Sequence, residues 1–281
     1  MAKNFHMIPP AAAEPLFHIG SFPITNALVN GWIAVIFFVV IGFLLRARNS
    51  KTPRGLQNAA EALVEFLLAE IEKVAGDRTH AKKFLPIVGG IFLFLLFSNW
   101  LGLLPGTGSI GIYEIINNER ELVPLLRPAA SDLNLTLAMA VFAIAASHLM
   151  GLLTVGPMNH ISKFINIRGI LRALKKGPMA VVVAIIETFV GLLEIIGECA
   201  KVLSLSLRLF GNIFAGEVLI TVMLGLAAFL VPIPFMLLEL LVGAVQATVF
   251  AMLTLAYLTV ATSQHEESGE LEKHRALAEA A

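Results

Sequence analysis

Three stretches of this chain, Leu28 to Leu45, Phe84 to Leu104 and Leu133 to Val155, are long, apolar and nearly free of charge. At 18, 21 and 23 residues, each is long enough as a helix to cross a hydrocarbon core of about 30 Å. The composition agrees. Of 281 residues 57% are apolar and only 14% charged, where soluble domains carry about 25% charge. That leaves too little polar surface for a soluble enzyme, a disordered chain or a nucleic-acid binder with a basic face. The expectation is an all-α, multispanning membrane protein embedded in a lipid bilayer, with no nucleic-acid partner. The first residues lack the apolar core of a signal peptide, so the first apolar run is expected to be retained. Cys199 is the sole cysteine, which excludes a disulfide framework and a cysteine zinc cluster. It reads as a small buried hydrophobe.

Between the first two runs the pattern changes. Leu56, Ala60, Leu63, Val64, Leu67, Ile71 and Val74 recur at helical spacing, with Asn58, Glu61, Glu65 and Glu72 on the other side. This predicts an amphipathic helix over 56–75 lying on the membrane surface. The last third is unusual. Met179 to Leu230 holds 52 residues without proline, and Pro178 stands where a first-turn proline would start a helix. One straight helix of that length would measure about 78 Å, so it must break into two spans or cross at a steep tilt. Pro232 and Pro234 punctuate a turn, a final apolar helix is expected over 235–262, and 263–281 reads as a polar tail. No linker separates domains, so 1–281 reads as a single membrane domain.

Net charge is zero, with 20 basic and 20 acidic residues, so the distribution matters more than the sum. With the long stretch counted as one crossing there are five spans. One side then holds Lys3, Arg120 and Arg127, and the other holds fifteen basic residues, from Arg46 through Lys163–Lys176 to Arg275. The positive-inside asymmetry places the N-terminal segment 1–27 outside and the C-terminus in the cytoplasm. Trp32 and Trp100 fall toward the outer interface, where such rings are favoured.

The last two helices carry charge at membrane depth. The long stretch contains Glu187, Glu194, Glu198, Lys201, Arg208 and Glu217, and the final helix Glu239 and Gln246. Ionisable groups there are costly and mark ion pathways by default. Glu187 and Lys201 read as interfacial or structurally paired. At 100° per residue, Glu194, Glu198, Lys201, Arg208 and Asn212 share one stripe, while Glu217 projects to nearly the opposite face. Glu239 and Gln246, seven apart, share a face of the final helix, and folding at Pro232 is expected to bring Gln246 level with Glu217. The arrangement suggests two offset polar half-paths with an arginine between them. A guanidinium cannot relay a proton, but it holds a partner carboxylate in its charged form and blocks a direct leak.

The run Ser204-Leu205-Ser206-Leu207-Arg208-Leu209-Phe210-Gly211-Asn212, followed by Ala215-Gly216-Glu217, resembles the signature of the a subunit of F-type ATP synthases. Ser98–Pro105, Pro128 with Ser131–Thr136, and Gln246-Ala247 with Phe250, Leu253 and Tyr257-Leu258 are similar to other segments of that family. The resemblance implies the stator half of a proton channel, with two long tilted helices pressed against a rotating ring of c subunits. It also implies b-type peripheral stalk subunits, the rest of the F1Fo complex and a bacterial inner membrane. Arg208 would face the ring carboxylate. Glu217, Asn212, Glu239 and Gln246 would line the outer half-channel, and Glu194, Glu198 and Ser204 the inner one. The subunit would not itself form ATP.

No GxxxxGK[ST] run is present and the seven histidines show no metal spacing, so neither nucleotide, cofactor nor metal is expected. His148 reads as a packed, hydrogen-bonded imidazole. Two other classes stand beside the channel reading. A secondary transporter, or an ion-translocating subunit of another membrane complex, would carry a midplane substrate site with broken helices or repeated halves. A structural scaffold would need no charge at depth.

Overall fold

The first and third apolar runs fold as helices that turn most of their large side chains outward. The structure, a computed structural model, describes residues 9–47, 54–104, 106–107, 110–116, 119–156, 178–226 and 231–279. Of the basic residues that set the expected orientation, Lys3, Arg48, Lys51 and those from Lys163 to Lys176 lie outside the described residues. In α1 (Asn26–Ala47) the buried residues are Asn26, Ala27, Asn30, Gly31 and Ala34. Val35, Ile36, Val39, Val40, Phe43 and Leu44 are exposed. In α4 (Leu133–Val155), Ala140, Ala143 and Ser147 are buried while Val141, Phe142, Leu149 and Leu153 are exposed. A soluble protein would bury the larger set. Small residues at helix contacts with large apolar residues outward is the arrangement of helices packing in lipid. Four helices are long and apolar enough to cross a membrane: Asn26–Ala47, Arg78–Gly102, Leu133–Thr154 and Pro232–Thr262. The chain is a mostly helical, multi-pass membrane protein.

Two units are distinguishable, Met1–Met139 with Leu205–Met252, and Ala140–Ser204 with Leu253–Ala281. The first opens with a hairpin of β1 (Pro15–Ile19) and β2 (Phe22–Thr25). Thr25 Oγ1 accepts a hydrogen bond from the Leu28 N–H at 3.3 Å and so starts α1. The amphipathic segment forms α2 (Leu56–Ala75), which ends at Gly76 with φ 77°, its N–H bonded to Glu72 O. Asp77 then caps α3 (Arg78–Gly102) by accepting from the Thr79 N–H at 3.1 Å. The same hydrogen bonding to Thr79 holds the Asp77 carboxyl below its usual range. The cap starts α3 at Arg78, ahead of the expected 84–104. Leu67, Leu68 and Ile71 are the buried residues of α2. Leu56, Leu63, Val64, Phe66 and Val74 stay exposed, so only part of the apolar face packs on protein.

A second hairpin, β3 (Gly111–Ile116) with β4 (Glu119–Pro124), joins α3 to a buried 3-10 turn, Ala129–Ser131. Neither hairpin was expected from hydropathy. Asp132 then accepts from the Asn134 N–H at 3.0 Å at the start of α4. A Cβ on Gly102 would overlap the Pro128 backbone, so glycine lets the end of α3 and this loop meet. The two last helices are α5 (Pro178–Leu226) and α6 (Pro232–Glu279). Pro178 opens α5, and Pro232 and Pro234 sit in the first turn of α6, where no intrahelical N–H is needed. At 49 residues α5 is continuous and measures about 74 Å. Residues 227–230 lie outside the described residues. The helix α6 begins before the expected 235 and continues past Thr262 through the polar tail to Glu279. That tail is rich in Glu and Ala, which favour helix regardless of polarity.

Gly102→Ala is expected to lower the thermal stability of the detergent-solubilised protein, because Pro128 must move to admit the methyl group. A melting curve on purified protein checks this, with Gly90→Ala, where a Cβ meets nothing within 4 Å, unchanged.

Candidate functional site

In the first unit, the middle of α5 has two unlike faces. Leu205, Ser206, Leu209, Ile213 and Gly216 are buried, while Leu207, Arg208, Gly211, Asn212 and Ala215 are exposed. The helical period produces this division, since the exposed residues recur at i, i+4 and i+8. A Cβ on Gly211 would meet nothing within 4 Å, so the stripe is flat and open. Among the described residues Arg208 has no ion-pair partner. An arginine stays charged in any protein setting, and at membrane depth such a charge faces a partner or water.

Glu217 leaves α5 on another face and meets an arginine that sequence reasoning had counted only as a loop charge. Arg127 Nε lies 2.8 Å from Glu217 Oε1 and donates to Oε2 at 3.0 Å. The Arg127 side chain is 2% exposed and that of Glu217 16%, so this is a buried pair. The remaining guanidinium N–H groups donate to the carbonyls of Ala12 (3.3 Å) and Pro10 (2.9 Å). The Phe214 ring, three residues before Glu217, stands 5.9 Å from the guanidinium carbon. Arg127 O in turn accepts from Asn30 Nδ2 at 2.6 Å, and the same amide donates to Ser98 O at 3.0 Å.

Glu239 is buried on α6, and its Oε1 has no hydrogen-bond partner among the described residues. Its carboxylate occupies the space a Cβ on Gly216 would need. The glycine next to Glu217 is therefore what admits the second carboxylate. This corrects the expected register, because Glu239, and not Gln246, stands level with this part of α5. The helix α6 is already formed at Pro232. Gln246 is half-buried further along α6. Trp100 Nε1 donates to Leu240 O at 3.0 Å, docking the end of α3 beside Glu239. The neighbouring Asn99 is buried against α6 near Gly243. Neither of its amide atoms has a partner among the described residues.

In the second unit, Glu194 and Glu198 are half-buried and Ser204 is exposed on α5. Glu198 accepts from Lys201 Nζ at 2.7 Å and lies 3.5 Å from His148 Nε2. Lys201 also stands 5.3 Å from the Tyr257 ring centre, so it is structurally paired. His148 faces a carboxylate as well as packing. Cys199, expected to be buried, is exposed, as are the apolar Ile195 and Ile196 one turn before it.

The stripe around Arg208 and the Glu217–Glu239 pair are thus separate features of one unit. Arg127, Asn99 and Gly216 are the residues that sequence reasoning missed. Arg127 left one signal, as a rare basic residue on the sparsely charged side. Asn99 left another, as an amide inside an apolar run.

The profile of the family described as ATP synthase A chain matches residues 28–259. The chain is 32% identical over 243 residues to ATP synthase subunit a of Moorella thermoacetica, covering 86% of this chain and 93% of that one. It is 30% identical over 242 residues to the subunit a of Gloeobacter violaceus, covering 86% and 85%. Against the subunit a of Mycobacterium ulcerans it is 32% identical over 248 residues, covering 86% and 89%. The match takes in α1, the exposed Arg208 stripe, the two carboxylates and most of α6, and on that extent the chain belongs to the ATP synthase A chain family.

Proposed function

We propose that this chain is the stator proton-channel subunit of an F-type ATP synthase, with Arg208 as the fixed charge opposite a ring of c subunits. The observation that carries the reading is the open stripe of α5. Leu207, Gly211 and Ala215 are apolar or small, Asn212 is polar, and Arg208 is the one fixed charge among them. A flat apolar face with a permanent cation suits a passing helix that bears a carboxylate. A carboxylate arriving protonated gives up its proton beside Arg208 because the charged pair is favoured there. It then takes up another before it returns to lipid, and the guanidinium itself relays nothing. Each elementary charge crossing 100 mV supplies about 2.3 kcal/mol, which the soluble head of the complex would convert.

Two offset half-channels serve this exchange. The outer one is assigned to Glu217, Glu239, Asn212 and Gln246, and the inner one to Glu194, Glu198 and Ser204. Support for the outer route comes from the burial of Glu239 and Asn99, whose unsatisfied polar atoms suit a hydrated path. Five crossings are proposed, with α5 passing the bilayer once at a steep tilt, because about 74 Å of continuous helix exceeds the membrane. The basic asymmetry supports an outer N-terminus and a cytoplasmic C-terminus in a bacterial inner membrane. The b-type peripheral stalk would hold the subunit against the turning ring. No observation favours a secondary transporter.

In membrane vesicles, Arg208→Ala is expected to reduce ATP-driven acidification to background while the complex still assembles. Pumping at the normal rate would remove the central charge from the mechanism. Gly216→Ala is expected to slow pumping severalfold, because its methyl group needs the space of the Glu239 carboxylate. Adding Glu239→Asp, one methylene shorter, is expected to recover part of the rate. The same acidification assay reads both.

A further inference from the structure

The two outer carboxylates are held unequally. Glu239 has an oxygen with no hydrogen-bond partner among the described residues. Glu217 is gripped by a side chain that belongs to neither long helix. Arg127 spends Nε on that carboxylate and its terminal nitrogens on the carbonyls of Pro10 and Ala12. Asn30 of α1 fixes the Arg127 backbone and ties it to Ser98 of α3. The N-terminal segment and α5 therefore converge on the guanidinium, while α1 and α3 are tied to the Arg127 backbone. The carboxylate of Glu14 accepts from Asn26 Nδ2 at 3.3 Å.

A surface loop arginine would need none of this. Surface ion pairs contribute little, whereas removing one partner of a buried pair leaves an uncompensated charge and is strongly unfavourable. The neutral carbonyls of Pro10 and Ala12 satisfy the guanidinium without competing for it as a second carboxylate would. Nε is thus left to face the Glu217 carboxylate.

We propose that Arg127 is a positioning residue of the outer half-channel, fixing the Glu217 carboxylate and compensating its charge, with residues 10–12 as the clamp that aims it. Glu239, across Gly216, is then the outer carboxylate left free to exchange protons. The inference rests on the reading of Glu217 as a half-channel group.

The test is ATP-driven acidification in vesicles carrying the whole complex with Arg127→Gln, Arg127→Lys, Glu217→Gln, and Arg127→Gln with Glu217→Gln. Subunit content is measured on the same vesicles. Arg127→Gln is expected to slow pumping about tenfold or more, and Arg127→Lys, which keeps the charge, to retain an intermediate rate. The decisive variant is the double, expected to pump no worse than Glu217→Gln alone, because no carboxylate is left uncompensated. A double variant in which the two losses multiply would overturn the proposal, as would normal pumping by Arg127→Gln. If Arg127→Gln fails to assemble, assembly of the double variant supports the pairing. Failure of both shows a purely structural arginine and overturns it. Normal pumping by Glu217→Gln removes the half-channel reading itself, whatever Arg127 does.

Discussion

The cost of a charge away from water governs this molecule. Every ionisable group in its long helices has to find a counter-charge, a hydrogen-bond network, water or a partner protein. The solutions differ from site to site. Glu198 takes Lys201 as a partner three residues along its own helix. Glu217 takes Arg127, ninety residues away. Glu239 is packed into the room left by a glycine. Arg208 lies on an open face with no ion-pair partner among the described residues, which suits a group meant for another molecule.

The same constraint shapes the packing. Lipid removes the reward for burying large apolar side chains, so contacts are made by small ones and by polar groups that hydrogen-bond across helices. Asn26 and Asn30 illustrate it. In the first turns of an apolar helix they are fully buried, and they bond to the carbonyls of Pro124, Ser98 and Arg127. These bonds bring α1 and α3 onto the loop that carries Arg127. Glu217 and Glu239 are therefore supported by helices that contribute no charge to the pair.

What could be read from residues alone was whatever depends on near neighbours. Hydropathy over some twenty residues located the spans, and helical period sorted α5 into the stripe that carries Arg208 and Asn212 and the face that carries Glu217. Boundaries were less legible because caps act locally against hydropathy, as Asp77 does in starting α3 before the apolar run. The hairpins at Pro15–Thr25 and Gly111–Pro124 escaped notice because they are short and lie outside the apolar runs. The register of α5 against α6 was misjudged because it depends on where the turn begins, and prolines can sit inside the first turn of a helix as readily as before it.

Membrane residence, the helical spans and the face of α5 on which Arg208 lies were determined by the sequence itself, since each follows from composition and period along one stretch of chain. Tertiary structure alone decided that Arg127 meets Glu217, that Gly216 makes room for Glu239, and that Asn99 lies buried beside α6. Those pairings join residues far apart in the chain, and only the docking of one helix on another sets which of them come within hydrogen-bonding distance.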